Sequence, residues 1–267
     1  TIINQTIEEM DGIELIGTAE NGKVALEQIR LLKPDIITLD MVMPVMDGIE
    51  TLKALRKFSE IPVIVLSARN DKITTFQALE QGAQDFLTKP ESITKNKETF
   101  KEQLEMRIKA LVYHEEAEEF ALKKSRRKNR SRVNENYDAI VIGASTGGPK
   151  VLTSIIKELP KSLSIPVFIV QHMPKGFTAS FAERLNSLAE VPVVEAKESM
   201  PIVDGTVYVA PGGYHMVVQE RRIRLLDTDK IHGVKPAVDP LFESVVNIFG
   251  QKTLGILLTG MGRDGAK

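Results

Sequence analysis

"YDAIVIGASTGGPKVL", Tyr137 to Leu152, decides how the second half of this chain folds. A run of β-branched and apolar residues stops at Gly143, small residues follow, and Pro149 opens an apolar pattern of helical period. The reading is strand, tight turn, helix. Three chemistries share that outline. A Walker phosphate loop needs Gly-Lys-Ser/Thr at the helix start, where this chain has Gly148-Pro149-Lys150. A dinucleotide fingerprint needs an acidic residue at the end of the next strand, and "IPVFIVQHMP" ends in Gln171-His172. The third is G-x-S-x-G, matched by Gly143-Ala144-Ser145-Thr146-Gly147, in which a sharp turn exposes the serine and the following helix N-terminus favours developing negative charge.

A serine hydroxyl is a poor nucleophile without a base and an orienting carboxylate. The chain has four histidines. His114 sits in the charged helical stretch "ALVYHEEAEEF" and His232 in the polar loop "DTDKIHGVKP". His215 follows "VYVAPGGY" and ranks second as a base. His172 ranks first, because a right-handed crossover returns its strand end to the carboxyl edge of the sheet beside the serine. The carboxylate comes from "TLGILLTGMGRDG", Thr253 to Gly265, whose strand ends in a glycine-rich turn holding Asp264. The order Ser, His, Asp is not the α/β-hydrolase order, so that fold is not implied.

"GASTGGP", "VQHMPKGFTASFAERL", "VYVAPGGYH", "KPAVDPLFESV" and "ILLTGMGRDGA", in that order, resemble the catalytic domain of the chemotaxis protein-glutamate methylesterases, which also deamidate receptor glutamines. The resemblance implies Ser145 as nucleophile, His172 as base and Asp264 as acid. It also implies a backbone N–H near Met261 in the oxyanion site, with Thr146 beside the nucleophile. No cofactor is implied for the ester chemistry.

The first half carries strand-helix units of its own. "PDIITLDMVMP" is a strand ending in Asp40, followed by the helix "DGIETLKALRKF"; "IPVIVLSA" ends in Ser67 and "AQDFLTKP" in Lys89. Apolar strands alternating with amphipathic helices argue for a parallel sheet covered on both faces, with its site at the strand ends. "LDMVMPVMDG", "VLSA" and "FLTKP" resemble the response-regulator receiver. That resemblance implies Asp40 as phosphoacceptor, Ser67 and Lys89 as phosphate contacts, Phe86 as the switch aromatic, and Mg²⁺ held by Asp40 and the Val42 carbonyl. The family's acidic pair of metal ligands is absent from the sequence, which starts at "TIINQTIEEM", a first helix already under way. In the flavodoxin-like order 2-1-3-4-5 the first strand lies inside the sheet, so its loss would strip neighbours of ladder partners. Asp264 stands close to the other terminus, where a chain frays. Both ends imply a longer native chain.

The expected organisation is a receiver over 1–122 closed by a long helix, a linker over 123–136, and a methylesterase domain over 137–267. The fold class is α/β: a flavodoxin-like receiver followed by a doubly wound domain with a β-hairpin at "HMVVQERRIRLLD". The linker, "KKSRRKNRSRVNEN", is basic but has no aromatic interleaving, and lysines plus arginines (35) nearly balance aspartates plus glutamates (36), so no nucleic-acid partner is expected. No apolar run approaches the about 20 residues of a membrane span, and no signal peptide is visible, so a cytoplasmic protein without membrane insertion is expected. The absence of cysteine excludes disulfides and thiolate chemistry. The implied partners are methylated chemoreceptors as substrate and a chemotaxis histidine kinase as phosphodonor. The competing reading is a receiver fused to a non-catalytic domain that holds an anion or nucleotide at the serine turn.

Overall fold

A computed structural model describes residues 2–68, 71–90, 96–125, 137–260 and 263–266, the side chains of 113–125 excepted. The chain divides into two compact units, Thr1–Lys128 and Asn129–Lys267.

In the first unit, α1 (Ile2–Glu8) and α2 (Gly22–Leu32) precede β1 (Ile37–Asp40), α3 (Gly48–Leu55), β2 (Val63–Ser67), α4 (Lys72–Glu80), β3 (Asp85–Thr88) and the long α5 (Lys97–Ser125). The strands form a parallel sheet in the order β1-β2-β3. Val63 to Ser67 are all buried, as an apolar run covered on both faces demands. One core joins Ile64, Leu66 and Leu87 of the sheet to Ile7 of α1 and to Phe100, Leu104 and Ile108 of α5. Local chemistry starts the helices. Asn21 caps α2 through Val24 N–H, and Asp47 with Glu50 forms a reciprocal capping box on α3. Residues 13–19 run outside any sheet, and between them and β1 lies an apolar cleft of about 790 Å³ lined in part by Leu15, Leu39, Leu66 and Ile108.

The second unit contains β4 (Ala139–Ala144), α6 (Gly148–Lys157), β5 (Val167–Gln171), α7 (Phe177–Leu188), β6 (Val193–Glu195), β7 (Val207–Val209), the hairpin β8 (His215–Gln219) and β9 (Arg222–Leu226), α8 (Val238–Phe249) and β10 (Thr253–Leu257). Its parallel sheet has the order β10-β4-β5-β7-β6. Alternation sorts its side chains between two layers. Val141, Phe168, Val170 and Tyr208 pack with Leu241 and Val245 of α8 and with Met216, Val218 and Ile223 of the hairpin. Ile142, Ile169 and Val209 point to the other face, the side of α6 and α7, whose Leu152, Ile156, Phe181 and Leu185 are fully buried. The hairpin turns at Glu220 and Arg221, both with positive φ, the conformation whose twist matches the flanking strands.

Candidate active site

Strand order assembles the site. β4 lies between β10 and β5, so the residues leaving these three carboxyl ends converge. The backbone continues the pairing past the strands: His172 N–H donates to Ala144 O (3.0 Å), Leu258 N–H to Gly143 O (2.9 Å) and Ser145 N–H to Thr259 O (3.0 Å). Ser145 Oγ then lies 3.1 Å from His172 Nδ1, and His172 Nε2 lies 2.8 Å from Asp264 Oδ2. All three predicted residues are thus hydrogen-bonded in series.

Asp264 is held by the start of α8. Its Oδ2 accepts Val238 N–H (2.6 Å) and its Oδ1 accepts Asp239 N–H (2.9 Å), two of the donors that a helix N-terminus leaves without partners. Burial is the largest influence on this carboxyl and opposes ionisation. The bond from His172 and those from Asp239 and Val238 N–H together outweigh it, so its pKa is lowered. An ionised carboxylate only accepts, which puts the imidazole proton on Nε2 and leaves the Nδ1 lone pair facing the Ser145 hydroxyl. The ring therefore presents the opposite edge to its serine from that seen in the chymotrypsin arrangement.

Glycines permit the close approaches. A Cβ at Gly260 would lie 2.6 Å from Ser145 Cβ, and Gly147 takes φ 75° where the turn enters α6. Pro149 falls in the first helical turn, where its missing N–H costs nothing. Thr146 is buried beside Ser145, its carbonyl accepting the Thr259 hydroxyl at 2.8 Å. Met261 lies outside the described residues.

The other histidines sort differently from their sequence contexts. His215, the second-ranked base, is fully buried: Nδ1 accepts Ala237 N–H (3.1 Å) and Nε2 donates to Asp229 O (2.9 Å), so both nitrogens are committed to holding the loop before α8. His232, read as a loop residue without context, lies 3.1 Å through Nε2 from Asp239 Oδ2. Asp239 is itself buried and accepts Gly265 N–H through Oδ1 (2.8 Å). Asp239 and Asp264 thus each bind the backbone of the other's segment. Sequence reasoning missed this pair, although an acid just inside the start of "VDPLFESV" is an N-terminal helix signal. The side chain of His114 lies outside the described residues.

In the first unit, Asp40 ends β1 and Lys89 follows β3, and their side chains form an ion pair. Val42 N–H donates to Asp40 Oδ1 (3.2 Å). Ser67 ends β2 between them, yet its buried hydroxyl bonds Thr75 Oγ1 of α4 (2.5 Å) and Ala68 O (3.1 Å), with Asp40 not among its partners. Phe86 is buried and meets Phe76 of α4 edge-on at 6.4 Å. Mg²⁺ is held through one or two carboxylates, phosphate oxygens and water. Asp40, partly exposed at the sheet edge, fits one such ligand. Among the described residues, the grouping of His, Asp and Glu spaced to hold a metal is His232, Asp239 and Asp264, which does not include it. Among the same residues, no helix is long and apolar enough to cross a membrane.

Family comparison gives two matches: a CheB methylesterase model over residues 140–267 and a response regulator receiver domain model over 1–124. The curated protein-glutamate methylesterase/protein-glutamine glutaminase of Clostridium acetobutylicum is 44% identical over 99% of this chain and 78% of its own length. The protein of the same name from Archaeoglobus fulgidus is 41% identical over 96% of this chain and 76% of its own. Among solved structures, the Thermotoga maritima CheB methylesterase catalytic domain is 44% identical, covering 50% of this chain and 71% of that one, with a TM-score of 0.46.

Proposed function

The chain belongs to the protein-glutamate methylesterase/protein-glutamine glutaminase family, and from that premise we propose a receiver-controlled serine hydrolase that demethylates glutamyl methyl esters, and deamidates glutamines, on chemoreceptors in sensory adaptation. Ser145 Oγ attacks the side-chain carbonyl while His172 Nδ1 takes the hydroxyl proton. The tetrahedral oxyanion develops at the N-terminus of α6, where the backbone following Ser145 and the helix dipole favour negative charge. Collapse breaks the bond to methoxide or amide, and the imidazolium returns its proton, releasing methanol or ammonia. Water, deprotonated by the same nitrogen, hydrolyses the acyl-serine to the free glutamate carboxylate. Asp264, kept ionised against its burial by the bond from His172 and by the α8 N-terminus, fixes the Nε2–H tautomer and stabilises the imidazolium.

The observation that carries this reading is the continuous chain of hydrogen bonds from Ser145 through His172 to Asp264. A fluorophosphonate supplies its test: the reagent modifies an activated serine, and mass mapping is expected to place the adduct on Ser145. Labelling that leaves Ser145 unmodified contradicts it. No observation favours the competing reading of a non-catalytic anion-binding domain, which needs neither histidine nor carboxylate at the turn.

The receiver supplies control. A histidine kinase is the phosphodonor and Asp40 the acceptor, with Lys89 already paired to the carboxylate that the phosphoryl group would occupy. Mg²⁺ at Asp40 and the Val42 carbonyl would neutralise the phosphoryl oxygens during transfer. Ser67 then leaves Thr75 for the phosphate, and Phe86 shifts against Phe76. Acting on receptor segments in the aqueous phase, the chain is assigned to the cytoplasm.

A further inference from the structure

Gln171 ends β5, immediately before the base, and is 2% exposed. Its side-chain Nε2 donates to Ser145 O at 2.8 Å and to His172 O at 3.2 Å. The position of these bonds gives them their meaning. Backbone pairing of β4 with β5 continues as far as His172 N–H to Ala144 O. At Ser145 the chain turns into α6, and its carbonyl no longer meets a backbone donor on β5. The Gln171 amide supplies that rung from a side chain. On its other side, Ser145 is pinned through its own N–H to Thr259 O, beyond β10. The nucleophile is thereby tied to both neighbouring strands, one of which bears the base.

The amide uses its donors alone. Gln171 Oε1 is buried without a hydrogen-bond partner among the described residues, pressed against the start of α6, where a Cβ at Gly148 would come within 2.1 Å of it. A buried acceptor left without a partner costs free energy. An apolar side chain of similar length would fill this space without stranding an acceptor, so what glutamine adds here is its N–H pair.

We propose that Gln171 is a positioning residue for the esterase reaction: by bridging the carbonyls of Ser145 and His172 it sets the separation of nucleophile and base. The proposal rests on the serine-hydrolase reading above. It predicts a loss in turnover, with receptor binding left intact, since Gln171 is buried and the groups it holds are the reacting ones.

The test compares full-length Gln171→Met, of similar length but without donors, with wild type on methylated receptor. A cooperative melt establishes folding. The expected result is kcat lowered on the order of 10²-fold, the scale of a small misplacement of reacting groups, with KM about unchanged. The rate of Ser145 phosphonylation by a fluorophosphonate, which needs no receptor contact, should fall in parallel. Should Gln171→Met lose its melt, Gln171→Leu, shorter and likewise without donor or charge, takes the same measurements. A folded variant with kcat within about threefold of wild type, or a loss confined to KM, overturns the proposal. Ser145→Ala in the same assay separates the two claims. If it is inactive while Gln171→Met is fully active, the bridge alone is wrong. If it retains turnover, the serine reading fails.

Discussion

Asp264 accepts the backbone N–H of Val238 at 2.6 Å, so the carboxylate hydrogen-bonded to His172 also caps the helix packed beneath the sheet. On the proposed mechanism one group therefore serves catalysis and stability together, and its substitution should disturb both.

Asp264→Asn is expected to lower kcat on the order of 10⁴-fold, because an amide in that place can no longer enforce the Nε2–H tautomer as a carboxylate does. It should also alter acid stability. The folded-state pKa of Asp264 lies below its ordinary value of 3.8. Its charge thus stabilises the fold fully above that value, and the contribution is lost as pH falls below it toward the folded-state pKa. Urea midpoints of wild type and Asp264→Asn should differ most near neutral pH and converge below 3.8. A gap that stays constant through this window contradicts the assignment of an ionised, helix-held Asp264.

Asp239 should matter although it stands outside the hydrogen-bonded series from Ser145 to Asp264. Its removal strips the Gly265 N–H of its acceptor and frees His232, loosening the turn that carries Asp264. Asp239→Ala is expected to destabilise the protein by about 1 kcal/mol, the net worth of a hydrogen bond to a half-buried donor, and to lower kcat more than it raises KM. Denaturant titration and steady-state kinetics on one preparation check both. Full stability and full turnover would show that the turn holds Asp264 without Asp239.

Much of this site was legible because its residues stand at the ends of strongly patterned strands. Ser145 and His172 directly follow apolar strand runs, Asp264 lies in the glycine-rich turn after a third, and parallel topology gathers such ends on one edge. Which ring nitrogen faces the serine was not legible, since that depends on the side from which Asp264 arrives. Gln171 was noticed only as a missing carboxylate; its role exists because β4 turns away at Ser145, a feature of three dimensions. Ser67 was expected to face the phosphate, but its partner Thr75 is brought to it by the packing of α4, which no local pattern records.

That Ser67–Thr75 bond makes a prediction for control. On the proposed control Ser67 exchanges Thr75 for the phosphate, so Thr75→Val, which keeps the shape and removes the competing hydroxyl, should lower the cost of switching. Esterase activation by a small-molecule phosphodonor is expected to reach half-maximum at lower donor concentration in Thr75→Val than in wild type. Asp40→Asn should abolish activation. Activation of Asp40→Asn to the wild-type level would remove Asp40 as acceptor, and an unchanged or weakened response in Thr75→Val would remove the competition.

Methanol release from methylated receptor by Ser145→Ala, with folding established by a melt matching wild type, probes the chemistry most directly. Loss of the nucleophile is expected to reduce turnover by orders of magnitude, while receptor binding persists. Near-normal methanol release by the folded variant would contradict a reaction carried by Ser145, His172 and Asp264.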